Sequence, residues 1–205
     1  MKVLKSTTTI LGNEIRLLAN DNHKPILVIG VFHGEEPQGK FLIDRYLEVQ
    51  PNSKLMFIPC LNPDGMCKNK RTNSNGVDLN RNYPCKNWEL TEKNEFFGGE
   101  TPASEIETQF MVEIIEEYKP ELILTLHAPF KVVNYDGPAK NICEKISKII
   151  NYPVEESIGY PTPGSFGTYC GIERNIPTIT LELDEKIPVE ELLEPVHNIF
   201  DLLNE

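Results

Sequence analysis

Four short segments of this chain carry side chains that could assemble into one catalytic metal site. The first supplies His33 and Glu36, three residues apart, and the third supplies His127 at the end of an apolar run. The second segment, residues 71–83, contains Arg71 and Arg81. The fourth segment contains Glu182, which lies between two leucines in the sequence. A catalytic zinc ion takes three protein ligands and keeps a fourth position open for water. Two imidazoles and one carboxylate therefore fit a hydrolytic zinc site.

The second segment has the donors that an anionic substrate needs. Arg81 stands beside Asn80, and the planar fork of an arginine can donate two parallel hydrogen bonds to a carboxylate. We expect this pair to anchor an anionic group of the substrate, with Arg71 free to stabilise an oxyanion. Taken alone, the run would equally suit an exposed turn rich in Asn and Gly. If Glu182 faces the metal, partial burial would raise its pKa and suit it to proton transfer.

The amino-acid composition limits the classes of protein to which this chain can belong. The 205 residues carry 40% apolar and 25% charged residues, which is ordinary for one globular domain over residues 1–205. A net charge of -11 argues against a nucleic-acid partner, because phosphate binding needs clustered Lys and Arg. No apolar stretch approaches the roughly 20 residues that span a bilayer. Five irregularly spaced cysteines and an N-terminus without a secretory signal favour a cytoplasmic location.

Apolar runs alternate with amphipathic stretches along the chain. Four runs, residues 26–32, 55–61, 122–126 and 178–183, are short and rich in branched side chains, which predicts buried strands. Residues 7–10 and 14–18 predict an edge hairpin. This alternation predicts an α/β domain with a mainly parallel sheet between helical layers. In such sheets ligands bind beyond the carboxyl ends of the strands, and both His33 and His127 follow a predicted strand.

Helices are predicted between these strands. Their predicted ranges are residues 37–49, 101–118 with Thr101 as the N-cap, 138–150, and 189–203 with a kink or break at Pro195. Two long polar stretches, residues 84–100 and 151–173, flank the predicted site in sequence. Loops of this length inside a domain are usually functional. We expect them to form the walls of a substrate pocket.

Taken in order, these motifs resemble the M14 family of zinc carboxypeptidases. The matching residues are His33 and Glu36, the run Asn62-Pro-Asp-Gly65, Arg71 ahead of residues 76–82, His127 and Glu182. The resemblance covers most of residues 26–183. It implies a three-layer α/β/α sandwich with a central mixed, mainly parallel sheet. It also implies one Zn2+ per chain on His33, Glu36 and His127.

The same resemblance implies a role for each remaining site residue. Asn80 and Arg81 would bind the carboxylate of the residue released, Arg71 would polarise the scissile carbonyl, and Glu182 would act as general base and acid. An aromatic residue caps the pocket of the digestive enzymes. For that substrate contact Tyr169 is our candidate, with Tyr160 as the alternative.

Within the family, three runs are most similar to the bacterial murein tripeptide amidases. They are residues 33–36 (HGEE), 76–84 (GVDLNRNYP) and 164–170 (GSFGTYC). That subgroup cleaves the γ-D-glutamyl–diaminopimelate bond of cell-wall peptides in the cytoplasm. The resemblance therefore implies a small peptide or muropeptide as substrate, a role in recycling cell-wall peptides, and neither membrane nor nucleic acid as partner. The sequence makes no prediction of oligomeric state.

Two other functions share parts of this pattern. Aspartoacylases and succinylglutamate desuccinylases resemble the His33/Glu36 motif and the run at residues 78–81, but usually continue into a further β-rich segment. An ordinary metallocarboxypeptidase would use the same metal and carboxylate anchors on other peptides. A non-catalytic binding module could keep the fold and hold a peptide without cleaving it. The presence of all the proposed catalytic residues argues against that last alternative.

Overall fold

One mixed sheet runs through the molecule and determines where the candidate site lies. The computed structural model describes residues 1–156 and 159–205. The strands are β1 (Lys2–Thr8), β2 (Glu14–Ala19), β3 (Ile26–Gly30), β4 (Met56–Ile58), β5 (Leu122–His127), β6 (Val132–Asp136), β7 (Val154–Glu155) and β8 (Thr178–Glu182). They lie in the order β1-β2-β4-β3-β5-β8-β6-β7.

The helices fill the connections between strands. They are α1 (Gln38–Val49), α2 (Pro63–Lys68), α3 (Ile106–Tyr118), α4 (Lys140–Ile150) and α5 (Leu193–Asn204). Short 3₁₀ turns occupy Leu79–Arg81 and Val189–Leu192, and a π-helix occupies Thr168–Ile172. Among the described residues no helix has the length and apolarity needed to cross a membrane.

The centre of the sheet is parallel and its flanks are antiparallel. Strand β5 pairs in parallel with β3 on one side and β8 on the other. Strands β1 and β2 add an antiparallel hairpin beside β4, and β6 runs antiparallel to β8. The central strands are buried on both faces, which explains their nearly continuous apolar sequences. This arrangement confirms the predicted mixed sheet and the edge hairpin.

Two hydrophobic cores lie on the two faces of the sheet. On one face Leu42 of α1, Ile146 of α4 and Val196 of α5 pack against the sheet. On the other face Phe110 and Ile114 of α3 pack against it. Apolar stripes at helical spacing cover each face, so the molecule has the three layers that were predicted.

The third helix begins later than predicted. It starts at Ile106, and Glu105 rather than Thr101 stands at the N-cap position. The preceding residues are held by Asn82: the Ala103 N–H donates to its carbonyl at 2.6 Å, and the Glu105 N–H donates to its side-chain oxygen at 3.2 Å. Ala103 adopts a left-handed conformation, φ 54°, that no helix could continue. Tertiary contacts therefore override the capping signal at Thr101.

Pro195 does not break the last helix, which is continuous from Leu193 to Asn204. The change from the 3₁₀ turn to α5 occurs between Leu192 and Leu193, before the proline. Pro195 then lies in the first turn of α5, where the backbone N–H groups have no partner within the helix. Its missing N–H therefore costs no helical hydrogen bond.

The elements that were not predicted include β6, β7, α2 and the π-helix, and β6 lines the candidate site. Strand β6 carries Asn134 and Asp136 among apolar residues, and α2 and the π-helix are each only five or six residues long. The predicted pocket wall at residues 151–173 includes residues 157 and 158, which lie outside the described part of the chain. Its described residues Tyr160, Thr162 and Ser165 do line the pocket that contains His33 and His127.

Candidate active site

The candidate metal and catalytic residues meet at the carboxyl ends of three neighbouring strands. His127 is the last residue of β5 and is the direct cross-strand partner of Glu182, the last residue of β8. His33 follows β3 by three residues, and β3 pairs with the other side of β5. The sheet therefore joins residues that are far apart in sequence, as the strand-end argument predicted.

A sharp turn after β3 carries His33 into this site. Val31 adopts φ 57°, a strained conformation for a β-branched residue. Its carbonyl accepts a hydrogen bond from the Asn62 N–H at 2.9 Å, which helps to hold the turn. Gly34 then passes so close to α2 that a methyl group there would lie 2.0 Å from the carbonyl carbon of Gly65. Position 34 therefore has no room for a side chain.

Asn62 fixes the loop of His33 to the loop of Arg71. Its side-chain amide donates to the Phe32 carbonyl at 3.1 Å and to the Arg71 carbonyl at 3.2 Å. Its side-chain oxygen accepts from the Gly65 N–H and caps α2. The Asn62-Pro-Asp-Gly65 run is part of the family resemblance. Through the hydrogen bonds of Asn62 it connects two segments of the site.

His33, Glu36 and His127 form a compact donor set. One donor atom from each lies within 4.8 Å of the others, and all three residues are buried. The Nδ1 atoms of His33 and His127 lie 2.8 Å and 3.0 Å from the two oxygens of Glu36. Two imidazole nitrogens and a carboxylate directed at one point are the donor set of a catalytic zinc ion. The described residues therefore fit the metal that the family implies.

Asp78 orients His33, a member of this donor set, by contacting the ring nitrogen that does not face Glu36. Its carboxylate is fully buried and lies 3.2 Å from Nε2 of His33. The other oxygen accepts from Nε of Arg71 at 2.9 Å and from its Nη2 at 2.8 Å. The Asn80 N–H donates to the first oxygen at 2.8 Å. A carboxylate on the second nitrogen of a metal-binding histidine fixes the ring's orientation, so Asp78 positions His33.

The charges of this cluster depend on one another. Burial alone would lower the pKa of His33, but the carboxylates of Glu36 and Asp78 raise it to about 9. Burial would raise the pKa of Glu36, but the two histidines lower it to about 2. Burial likewise opposes ionisation of Asp78, whose pKa His33 and Arg71 nevertheless hold well below the usual range. The three side chains thus form an oppositely charged, mutually stabilised group.

Glu182 has the properties of a proton carrier. It is 6% exposed, and its Oε2 atom is buried without a hydrogen-bond partner among the described residues. Burial raises its pKa, and the nearby carboxylate of Glu36 adds to the rise, while His127 opposes it. A carboxylate whose pKa is raised is a stronger proton acceptor than an ordinary carboxylate.

Arg81 and Asn80 provide an anchor for an anion. The side-chain oxygen of Asn80 accepts from the Phe166 N–H at 2.9 Å, which leaves its NH2 group to donate. Arg81 is buried, its Nη1 donates to the Asn80 carbonyl at 2.7 Å, and it makes no ion pair with any residue that the structure describes. Burial lowers the pKa of this guanidinium. A buried cation without a direct ion-pair partner favours an anionic ligand.

The prediction that Tyr169 binds substrate is wrong. Its ring is 1% exposed and packs inside the core against Tyr83, with the guanidinium of Arg174 3.4 Å from the ring centre. The alternative, Tyr160, does line the pocket, lies beside Arg81 and is 45% exposed. The two tyrosines could not be separated by sequence, because their exposure depends on how the segment after β7 folds.

Sequence reasoning missed the floor of the pocket. Asn134 and Asp136 of β6 line it together with Thr180 of β8. In the register of the two strands Asn134 lies opposite Thr180 and Asp136 opposite Thr178. Burial raises the pKa of Asp136 to about 6. Two polar residues with period-two spacing in an otherwise apolar run were the only available signal.

Comparison with known proteins places this geometry among peptidases. The sequence model of the zinc carboxypeptidase family matches residues 1–149. Murein peptide amidase A of Escherichia coli is 31% identical over 170 residues, covering 76% of this chain and 69% of that protein. The protein of the same name from Vibrio campbellii is 32% identical over 174 residues, 77% of this chain and 68% of that one.

Solved structures extend the likeness to the whole chain. The crystal structure of murein-tripeptide amidase from Escherichia coli superposes with a TM-score of 0.82 at 26% identity, covering 97% of this chain and 90% of that one. Carboxypeptidase A from Helicoverpa armigera shares the fold with a TM-score of 0.77 at 16% identity, covering 98% and 68%.

Adding a methyl group at Gly34 is expected to disrupt the metal site. Gly34→Ala would bring carbon atoms to 2.0 Å, so the loop or α2 must move, at a cost of about 3 kcal/mol or more. We expect a lower midpoint of thermal unfolding and less bound zinc, measured by atomic emission. The control is Gly12→Ala, where no atom lies within 4 Å of the added carbon but φ is 87°, so this variant should lose some stability through backbone strain and keep its zinc. Equal stability and zinc content in Gly34→Ala and the wild type would contradict this account.

The pocket-floor carboxylate is expected to destabilise the free protein. The folded-state pKa of Asp136 is about 6, above the ordinary value of 3.8, so its ionised form weakens the fold. This loss of stability is absent at pH values below 3.8 and complete at pH values above about 6. Asp136→Asn should therefore raise the free energy of unfolding by roughly 2–3 kcal/mol at pH values above the folded-state pKa. At pH values below the ordinary pKa the substitution should change it little.

Urea unfolding of Asp136→Asn over this pH range tests that expectation. The matched control is Asp21→Asn, at an exposed position that pairs with Lys2, for which the change in stability should be small at every pH. If Asp136→Asn were less stable than the wild type at neutral pH, the expectation would be wrong. The folded protein would then stabilise the ionised carboxylate of Asp136.

Proposed function

This chain belongs to the zinc carboxypeptidase family, and we propose that it hydrolyses the γ-D-glutamyl–diaminopimelate bond of small cell-wall peptides. The chain is a hydrolytic enzyme of the metallopeptidase type. The observation that carries the proposal is the buried Arg81, which faces the pocket beside the His33, Glu36 and His127 donors. A free carboxylate on the released residue supplies the direct ion-pair partner that Arg81 lacks among the described residues. The amidase relatives support the cell-wall substrate.

One zinc ion per chain is proposed on His33, Glu36 and His127. When bound, zinc polarises a carbonyl oxygen and lowers the pKa of a water molecule. Asp78 holds His33 in the orientation that this requires, through its contact with Nε2. Among the described residues this trio is the group of His, Cys, Asp and Glu side chains whose donors are close enough to share an ion.

Glu182 is proposed as the general base and then the general acid. It accepts a proton from the attacking water and passes it to the nitrogen of the leaving amine. The absence of a hydrogen-bond partner on Oε2 among the described residues leaves that oxygen free for this proton. Its raised pKa makes Glu182 a stronger base toward the water, so the ionised and protonated forms of Glu182 lie closer in free energy.

Arg71, Asn80 and Arg81 are proposed to hold the substrate in register. Arg81 and the amide of Asn80 bind the α-carboxylate of the residue released. Arg71 is held by two hydrogen bonds to Asp78, and its Nη1 reaches to 3.3 Å from Nδ1 of His33. A guanidinium fixed in this way is already oriented to stabilise negative charge on the scissile carbonyl oxygen. Tyr160, beside Arg81, replaces Tyr169 as the aromatic contact.

The setting of the enzyme is part of the same proposal. All five cysteines are free thiols, which suits the reducing cytoplasm and the recycling of cell-wall peptides there. The two cores on the faces of one sheet support residues 1–205 as a single catalytic domain. The acidic composition favours small peptides over nucleic acid as partners. The match to the carboxypeptidase model favours a peptidase over an acyl-amino-acid hydrolase.

Hydrolysis of L-Ala-γ-D-Glu-meso-diaminopimelate tests the proposed substrate. The zinc-loaded protein is compared with a chelator-treated sample, with ordinary C-terminal dipeptides and with N-acyl amino acids as the other substrates. We expect chelator-sensitive release of diaminopimelate at a kcat/KM well above that of the other compounds. Faster cleavage of ordinary dipeptides would identify a general carboxypeptidase, and faster cleavage of acyl amino acids would identify an acylase. Binding of the tripeptide without any cleavage would identify a non-catalytic module.

Glu182→Gln tests the proton carrier. The amide keeps the shape of the side chain but cannot accept the proton, so kcat should fall by roughly 10²–10⁴-fold. Zinc content and thermal stability should stay close to those of the wild type. The control is Glu121→Gln, at the opposite end of β5 on the exposed surface, which should retain full activity. Substantial turnover by Glu182→Gln would remove this residue from the mechanism.

A further inference from the structure

The segment that carries Asp78, Asn80 and Arg81 is held at both of its ends by one buried residue that the proposed mechanism does not use. That residue is Glu105, which immediately precedes α3 and is 5% exposed. It does not line the pocket that contains the metal donors. Any influence of Glu105 on the reaction must therefore pass through the residues that it contacts.

The first end of the segment is a tight loop that the Glu105 carboxylate holds from outside. The side-chain oxygen of Asn73 accepts hydrogen bonds from the N–H groups of Asn75 at 3.0 Å and Val77 at 3.1 Å. The amide groups of Asn73 and Asn75 in turn donate to Oε2 of Glu105 at 2.7 Å and 2.8 Å. Arg71 lies two residues before this loop, so the carboxylate holds the backbone that leads to it.

The second end of the segment is Asn82, which contacts both the backbone and, through a serine, the carboxylate of Glu105. The Glu105 N–H donates to the side-chain oxygen of Asn82 at 3.2 Å. The amide group of Asn82 donates to Oγ of Ser104 at 3.0 Å, and this hydroxyl donates to Oε1 of Glu105 at 2.6 Å. The two oxygens of one carboxylate therefore connect to opposite ends of residues 73–82.

These hydrogen bonds hold a segment that has little regular structure of its own. Residues 73–82 contain a loop and one short 3₁₀ turn. The three partners of the Glu105 side chain are two amides and a hydroxyl at 2.6–2.8 Å, none of them charged. A carboxylate forms charge-assisted hydrogen bonds, which are roughly twice as strong as neutral ones. One buried carboxylate thus fixes the separation of the two ends.

The groups that the proposed mechanism uses to hold the substrate lie next to these two ends. Arg71 lies two residues before Asn73, and Arg81 directly precedes Asn82. The metal donors belong to other parts of the chain, since they lie at or after the ends of β3 and β5. A change in the separation of the two ends would therefore move the two arginines relative to each other and leave the metal donors in place.

We propose that Glu105 is a positioning residue, which sets the distance between Arg71 and the anchor formed by Asn80 and Arg81. This proposal rests on the proposed function, because it assumes that these groups bind the scissile carbonyl and the carboxylate of the residue released. A substrate that contacts both groups needs them at one separation, and a misplacement of about 1 Å can slow a reaction by roughly 100-fold. Glu105 therefore acts on the reaction without touching the substrate.

Glu105→Ala tests this role with pairs of substrates that differ only in the α-carboxylate of the residue released. Each pair has a free carboxylate or its amide, on a γ-D-glutamyl peptide ending in diaminopimelate and on an ordinary α-linked dipeptide. We expect the wild type to prefer the free carboxylate, and Glu105→Ala to lower that preference by roughly 10- to 100-fold in kcat/KM, with a higher KM for the free carboxylate. A merely structural residue would lower cleavage of both members of a pair equally, and that result would overturn the proposal.

Two further variants separate the hydrogen bonds of Glu105 from the loss of a buried charge. Glu107 is also buried, but it contacts the same loop through one longer hydrogen bond, 3.3 Å from Nδ2 of Asn73. Glu107→Ala should therefore keep the preference for a free carboxylate, and an equal loss there would remove the assignment to Glu105. Glu105→Gln retains one accepting oxygen and should restore part of the preference. If Glu105→Ala does not fold, Glu105→Gln is compared with the wild type, and a smaller loss of the same sign is expected.

Amide hydrogen exchange of the zinc-loaded protein gives a readout that does not depend on any substrate. In Glu105→Ala the N–H groups of Asn75 and Val77 should exchange faster, because the Asn73 side chain that accepts them loses its own support. Exchange in β5 and the zinc content should match those of the wild type. Unchanged exchange at residues 75 and 77 would show that Glu105 does not hold the loop, and the proposal would fall.

The outcomes separate this proposal from the proposed function. If the preference of ordinary dipeptides for a free carboxylate depends on Glu105 and the γ-D-glutamyl series is not cleaved, the cell-wall substrate fails and the role of Glu105 stands. If the wild type and Glu105→Ala release diaminopimelate with the same preference for a free carboxylate, the function stands and the role of Glu105 fails.

Discussion

The buried carboxylate of Asp78 is the interaction on which the rest of the site depends. It has no exposure to solvent, and it contacts the ring of His33, the guanidinium of Arg71 and the backbone N–H of Asn80. Burying a carboxylate is costly unless every lone pair finds a donor. Here the donors come from three different parts of the site, so satisfying this one group fixes the relative positions of a metal donor and of the groups that hold the substrate.

The regular parts of this arrangement follow from the sequence. Buried strands gave clear apolar runs, and parallel strands bring their carboxyl ends to one edge, so the meeting of His33, His127 and Glu182 could be predicted. Irregular parts could not be predicted in the same way. Val31 adopts its left-handed conformation because Asn62 and α2 hold it, and nothing in the local sequence encodes that turn.

Failures of the sequence analysis have a common physical cause. Thr101 has the residue type of a helix cap, yet contacts with Asn82 decide where α3 begins. Tyr169 and Tyr160 have the same side chain, and only tertiary packing buries one and exposes the other. Asp136 lies in a strand that the sequence analysis did not predict, and its position on the pocket floor is known only from the fold. Local pattern predicts elements, whereas long-range contacts decide which polar residue faces the substrate.

The candidate catalytic residues and the acidic residue Asp136 lie on different walls of one pocket. The metal donors and Glu182 lie at the ends of the central strands, while Asp136 lies near the edge of the sheet beneath the π-helix. Two networks hold these regions: Asp78 and Asn62 on the catalytic side, and close backbone packing of β6 against the π-helix on the other.

The crowding between Asp136 and Gly167 ties the evolutionary histories of these two positions together. Since any side chain at 167 would overlap the carboxylate at 136, position 167 can change only after position 136 has become smaller. Position 136, by contrast, can be shortened while the glycine at 167 stays. Changes in this wall of the pocket are therefore expected in a fixed order, with strong epistasis between the strand and the helix that covers it.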